Sequence, residues 1–173
     1  YQRFAFVKAL IDSKEFEEAV QKIVSNPSTK WEEEHEEKDI RSIRRFTQKN
    51  IKQLVSKTNR IEINNSHFLH SQYGLNSIPT KIDSTRKKES IDTAENRFIK
   101  HALEEFLFFC ENCEVKFEKY SSAKLESNIL ANKISNLLNQ TFFKAISRPT
   151  SLKLNSPIIQ RKSGYREVLN AWL

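Results

Sequence analysis

Two cysteines three residues apart, Cys110 and Cys113, are the first residues here whose types and spacing suggest chemistry. A CxxC pair supplies half of a zinc site, which needs two further ligands. No second CxxC or HxxxH exists, and only a chance approach of His67 and His70 could complete it. The pair lies inside a helical pattern beside Phe106, Phe108 and Phe109, so small buried hydrophobes are the expected role. Glu114-Val115-Lys116 spells the ExK half of a metal-dependent nuclease signature. That chemistry needs a strand, where residues two apart project the same way; on a helix they diverge. Arg97 and His101 stand one helical turn apart and could face RNA, but they are too closely spaced for the helical RNase arrangement. Two glycines in the whole chain leave no phosphate-cradling loop, and no serine sits in a nucleophile elbow. The residues assemble no active site, and no cofactor or metal is expected.

A different chemistry is written in the charge. The net charge is +7, and it is segregated: residues 1–40 carry −4, residues 41–90 carry +8 and residues 91–173 carry +3. A Lys-rich surface can serve solubility alone, but a basic middle third beside an acidic first third is the footprint of a phosphate-facing surface. The candidate phosphate contacts are Arg41, Arg44, Arg45, Lys49 and Lys52 on two short basic helices. Arg86, Lys87 and Lys88, before the next long helix, join them. Contacts of this kind fix position without reading bases.

The elements that must carry these residues are mainly helical. Two glycines, four prolines and 38% hydrophobic residues point to a helix-rich chain of one domain, residues 1–173, with sub-lobes 1–90 and 91–173. Residues 1–11 read as a helix, and Ser13 caps a second over roughly 14–25 that Asn26-Pro27 ends. TKWEEEHEEK reads as exposed and extended, since its glutamates would repel along a helix. Asp39 caps a short helix IRSIRRF, followed by another around 48–57. IEI, FLH and IPTKID read as strands, the last leading on through STRKKESI. In SIDTAENRFIKHALEEF, Asp92 reads as the N-cap and Glu95 as its capping-box partner. The apolar spacing then predicts a long antiparallel helical hairpin over about 93–146, and a last helix begins near Gly164-Tyr165. The fold class is therefore mainly α: a helical bundle around that hairpin, with a few short strands within 29–90. No apolar run reaches the roughly 20 residues of a membrane span, and two cysteines make no disulfide framework, so a cytoplasmic protein is expected. The chain lacks methionine and both ends fall inside helices, which suggests a piece of a longer polypeptide.

Two blocks carry a family resemblance. DTAENRFIK, through Asp92, Thr93, Glu95, Asn96, Arg97, Phe98, Ile99 and Lys100, is one. QRKSGYREVL, through Gln160, Arg161, Lys162, Gly164, Tyr165, Arg166, Glu167, Val168 and Leu169, is the other. They resemble the helical region, a domain of unknown function, that precedes the PD-(D/E)xK nuclease domain in McrC-like, LlaJI-type restriction proteins. The opening RFAFVKALIDSKEFEEAVQKIVSNP is similar to the start of that region. The resemblance implies a restriction subunit working with a McrB-like AAA+ GTPase against foreign DNA. It also implies that the nuclease residues follow the GYRE helix, so this piece is expected to be non-catalytic. Asn96 and Arg97 are then structural anchors: Arg97 forks a carboxylate from a neighbouring helix and Asn96 ties down the preceding extended segment.

Two roles follow. One is a DNA-handling and partner-docking module of a McrBC-like endonuclease subunit. The alternative is a protein–protein scaffold for an AAA+ GTPase with no nucleic-acid contact, which would dock through Trp31 and Glu32–Glu37.

Overall fold

Burial of one helical face is what organises most of this chain. A computed structural model describes residues 2–117 and 121–173. Among them the structure is mainly α, with two separate two-stranded sheets. The chain divides into two units, residues 1–30 with 89–173, and residues 31–88.

The larger unit contains α1 (Gln2–Ile11), α2 (Lys14–Ser25), α5 (Ala94–Lys116), α6 (Ser121–Leu138), α7 (Thr141–Lys144), α8 (Pro157–Arg161) and α9 (Tyr165–Trp172). α2 starts as expected: the Ser13 hydroxyl accepts from the Phe16 N–H at 3.2 Å, and the helix stops at Asn26 before Pro27. On α5 the buried residues Phe98, Ile99, Ala102, Leu103, Phe106, Cys110 and Cys113 make one stripe. That stripe packs on α6 and α9. Phe4, Ile11, Phe16, Val20 and Ile23 of α1 and α2 enter the same core, as do Tyr165 and Val168 of α9. This sharing alters the expected division into lobes 1–90 and 91–173. The apolar faces of α1 and α2 are covered by the C-terminal helices, so residues 1–30 belong with 89–173.

Two further expectations on α5 and α6 change. Thr93, not Asp92, is the N-cap of α5, its hydroxyl accepting from the Asn96 N–H at 3.2 Å, because Asp92 is committed elsewhere. The second long helix does not run to 146. It ends at Leu138, Gln140 turns extended, and α7 restarts at Thr141, which places Phe143 wholly inside the core. The turn expected between the two long helices falls on residues 118–120 and lies outside the described residues.

The smaller unit holds β1 (Lys30–Asp39, whose first residue belongs to the larger unit), a 3-10 turn at Ile40–Ser42, α3 (Gln48–Ser56), β2 (Arg60–Glu62), α4 (Phe68–Tyr73), β3 (Ser77–Pro79) and most of β4 (Lys81–Ser90). β2 and β3 are antiparallel, with Ile61 opposite Ile78. Ile40, Leu54, Leu69 and Ile78 form a small core with Phe46, Ile61, Ile63 and Leu75 against it. β1 pairs with β4, and both are ten residues long, so the strands of 29–90 are not all short. FLH is not a strand. Phe68, Leu69 and His70 open α4, since His67 Nδ1 accepts the Leu69 N–H and Gly74 closes the helix with φ +67°. The helix expected at IRSIRRF shrinks to its first three residues: Asp39 caps it through the Arg41 N–H, and residues 43–46 leave it to place Phe46 on the core.

Candidate nucleic-acid interface

All eight candidate phosphate contacts fall in residues 31–88, but in two electrostatic settings. The first group surrounds α3. Thr47 and Asn50 close a capping box at its start, with Asn50 N–H to Thr47 Oγ1 at 3.2 Å and Thr47 N–H to Asn50 Oδ1 at 3.1 Å. Asn50 and Leu54 face inward, which turns Lys49 and Lys52, one turn apart, to solvent. Arg41 sits on the 3-10 turn and Arg44 and Arg45 on the irregular segment before the cap, all exposed. Two of the five, Lys49 and Lys52, therefore lie on a helix proper. Among the described residues none of these five side chains has a carboxylate at ion-pair distance, unlike Lys8, Lys57 or Lys133.

The neighbouring cations show what engagement looks like. Lys57 Nζ donates to Asp83 at 2.8 Å and to Glu37 at 3.2 Å. Its pKa is raised, chiefly by the bond to Asp83, against the opposing effect of desolvation. Arg60 is spent on its own unit. It donates through Nη1 to the Leu54 carbonyl at 2.8 Å and through Nε to Ser77 Oγ at 2.8 Å.

Arg86, Lys87 and Lys88 form the second group, exposed on β4. β4 is paired with β1, whose glutamates 32, 33, 34, 36 and 37 are all exposed. Lys88 approaches Glu34 at 3.8 Å. The field of these three residues is therefore damped by the strand beside them, whereas the five cations around α3 have no such acidic partner among the described residues.

The motif residues of the larger unit do a different job. Asn96 is wholly buried and uses its whole amide. Nδ2 donates to the Ile91 carbonyl at 2.7 Å and to the Ser28 carbonyl at 2.9 Å, and Oδ1 accepts the Tyr165 hydroxyl. Tyr165 in turn accepts the Ser28 N–H at 2.8 Å, and burial pushes its phenol up to about 12. Gly164 precedes it at φ +91°, where a Cβ would stand 2.7 Å from the Ala19 carbonyl oxygen; only glycine fits so close to α2. Glu167 reaches back to the Gly164 N–H at 2.6 Å and meets Arg166 at 3.1 Å. Burial opposes ionisation of Glu167, yet backbone N–H groups and Arg166 together hold its pKa low.

Arg97 forks a carboxylate, as anticipated, but that of Asp92 five residues upstream, with bonds of 2.8 and 2.7 Å. Asp92 also accepts the Ser147 N–H at 2.9 Å and its hydroxyl at 2.8 Å. The Arg97 guanidinium, with Ser147, keeps the Asp92 carboxyl well below the usual carboxylate range. Glu95 accepts the Ser156 hydroxyl at 2.7 Å and so does not close the anticipated capping box.

Cys110 and Cys113 are buried, and burial pushes the Cys110 thiol up to about 11, which leaves it inert. No group of three or more potential metal ligands occurs among the described residues. Glu114 lies on α5 and accepts a bond from Asn128 at 3.2 Å. Sequence reasoning missed Ser28, Ser147 and Ser156, because a serine anchored by a residue 55 or more positions away leaves no local signal.

No helix among the described residues is long and apolar enough to cross a membrane. No curated protein and no solved structure matches the chain. A family does: the match runs over residues 1–172, which is nearly all of the sequence, and the chain belongs to the family described as Domain of unknown function (DUF2357).

Proposed function

We propose that this chain is a non-catalytic, nucleic-acid-handling and partner-docking module of a McrBC-like restriction subunit, acting in the cytoplasm against foreign DNA. The observation that carries the nucleic-acid part is the set Arg41, Arg44, Arg45, Lys49 and Lys52: five exposed cations within twelve positions, none neutralised by a carboxylate among the described residues. Charges that serve solubility are usually interspersed with their opposites; these stand apart. The restriction context and the McrB-like AAA+ GTPase partner rest on the resemblance of DTAENRFIK and GYREVL. In this reading α5 and α6 form an antiparallel hairpin around which the larger unit is built, and the smaller unit carries the anion surface.

Fluorescence anisotropy against labelled single- and double-stranded DNA, across a salt series, tests the proposal. Counterion release predicts that log affinity falls linearly with log salt, with a slope of about −0.9 for each phosphate neutralised on a duplex. Replacing Arg44, Arg45, Lys49 and Lys52 by alanine should flatten that slope by about 3.6 on a duplex. Absence of binding to every strand at low salt would remove the nucleic-acid role.

A second reading has its own observation. β1 exposes five glutamates, and Trp31 beside them is 69% exposed. That edge suits a basic protein surface, and the chain would then be a scaffold for the AAA+ GTPase without nucleic-acid contact. Pull-down with that GTPase, comparing the chain with a Glu33→Gln, Glu34→Gln, Glu36→Gln variant, separates the readings; undiminished capture would argue against acidic docking.

A further inference from the structure

The arginines before α3 run into an aromatic cluster that phosphate binding alone does not explain. Phe68 opens α4 and is 52% exposed, while Leu69 beside it is buried in the small core. The His67 ring stacks on it at 5.1 Å between centroids and 23° between planes. Phe46 lies 6.1 Å from Phe68, tilted by 44° and so not stacked on it, and Phe46 directly follows Arg44 and Arg45 in the chain. His67 is held in place, because its Nδ1 accepts the Leu69 N–H. The proton of the neutral ring is then on Nε2, leaving a donor outside the bond that fixes the ring. A second exposed aromatic, Tyr73, closes the same short helix at 41% exposure.

We infer that the face formed by Arg44, Arg45, Phe46, His67 and Phe68 binds single-stranded nucleic acid, with bases stacked on Phe68 and phosphates held by the arginines. This deepens the nucleic-acid reading above and rests on it. The argument is one of chemistry. Exposed π-faces beside cations recognise unstacked bases, which a duplex keeps inside its own stack. Arg44 and Arg45 directly precede Phe46, whose ring is in contact with Phe68, and guanidinium groups both hold phosphates and stack on bases. Phe68 leaves 52% of its surface in solvent, whereas Ile40, Leu54, Leu69 and Ile78 form the buried small core.

The test uses the full chain with about 20-nucleotide oligothymidine, oligouridine and a mixed-sequence duplex of equal length, followed by anisotropy. Binding of either single strand about tenfold tighter than the duplex is expected, and the arm that binds identifies the sugar. Phe68→Leu keeps an apolar side chain but removes the π-face; about tenfold weaker binding to the single strand is expected, with the duplex affinity unmoved. Phe68→Tyr should retain affinity. A duplex bound as tightly as the single strands, or Phe68→Leu binding like the parent, overturns the inference while leaving phosphate-directed binding in place. No binding to any of the three overturns both. Thermal melting of each variant establishes that the fold is intact, and the preference of the parent chain for single strands over the duplex still decides the inference if Phe68→Leu melts early.

Discussion

Asn96 illustrates how one side chain can hold several segments at once. Its carboxamide has three partners, and each belongs to a different stretch: the turn at Ser28, the linker at Ile91 and the start of α9 at Tyr165. Replacing it by alanine strands the Ser28 carbonyl and leaves the Tyr165 O–H without its acceptor, while the Ile91 carbonyl keeps the Thr93 N–H; Tyr165→Phe strands the Ser28 N–H and Asn96 Oδ1. Buried unpaired groups cost about 1–3 kcal/mol each, so each variant should lose stability on that scale in urea unfolding. Because both variants break the same bond, the double variant should lose less than their sum. Strict additivity would contradict a shared network. Asp92 makes a pH prediction of definite sign. Its carboxyl is held below the ordinary value of 3.8 by Arg97 and Ser147, so the fold favours the ionised form. The stabilisation is complete above the ordinary value and is lost as pH falls through it toward the folded-state value. The stability gap between the protein and Asp92→Asn should therefore be flat near neutrality and narrow below about pH 4. A gap that persists unchanged into acid would show that the ion pair is not its source.

Among the elements, the long helices and the extended segments were legible and the shortest helices were not, for physical reasons. α2, α5 and α9 repeat apolar residues at the helical period and present them to one core. α4 has only six residues, too few for a period to show, so its FLH read as a strand. β1 has no alternation at all, since it is almost entirely exposed, and it was the repulsion among its glutamates, with the strand preference of Thr29 and Trp31, that argued against a helix. The interface was half legible: charge segregation located Arg41 to Lys52, while the setting of Arg86 to Lys88 depended on strand pairing no local pattern reveals. β4 carries a device of its own. The Gln53 amide faces the backbone of Asp83, its Oε1 accepting the N–H at 2.7 Å and its Nε2 donating to the carbonyl at 3.3 Å. The Asn50 amide adds a second bond to that carbonyl at 2.9 Å. Gln53→Ala should free the Asp83 N–H alone, since Asn50 keeps the carbonyl occupied. Hydrogen exchange by NMR should show that amide speeding up markedly while global stability falls by only about 1 kcal/mol. Uniform acceleration across β4 would mean that Gln53 holds the whole strand instead.

At the scale of the molecule, the chain leaves the larger unit after residue 30 and re-enters it at 89. One amino group, Asn96 Nδ2, bonds both Ser28 and Ile91, so the points of departure and return are side by side. A segment with adjacent ends behaves as an insertion. Replacing residues 31–88 with a short Gly/Ser linker should therefore leave a cooperatively melting helical protein by circular dichroism. It should also abolish nucleic-acid binding, if that function lies where we place it. Loss of the cooperative transition would show that the larger unit depends on the smaller. The sequence offered no sign of this arrangement: nothing in α1 or α2 announces that their partners lie beyond residue 89.

That discontinuity sets a schedule for the nascent chain. Ser28 meets Tyr165 across 137 positions, and α2 receives Gly164 and α9 only when those have been made. At about 5–20 residues per second, the apolar faces of α1 and α2 remain uncovered on the ribosome for roughly 7–30 s. The smaller unit is complete at residue 88 and is free to settle first. Expression of this protein should therefore be limited by the waiting time of its first two helices, and slowing translation between residues 89 and 164 should increase their capture by a chaperone.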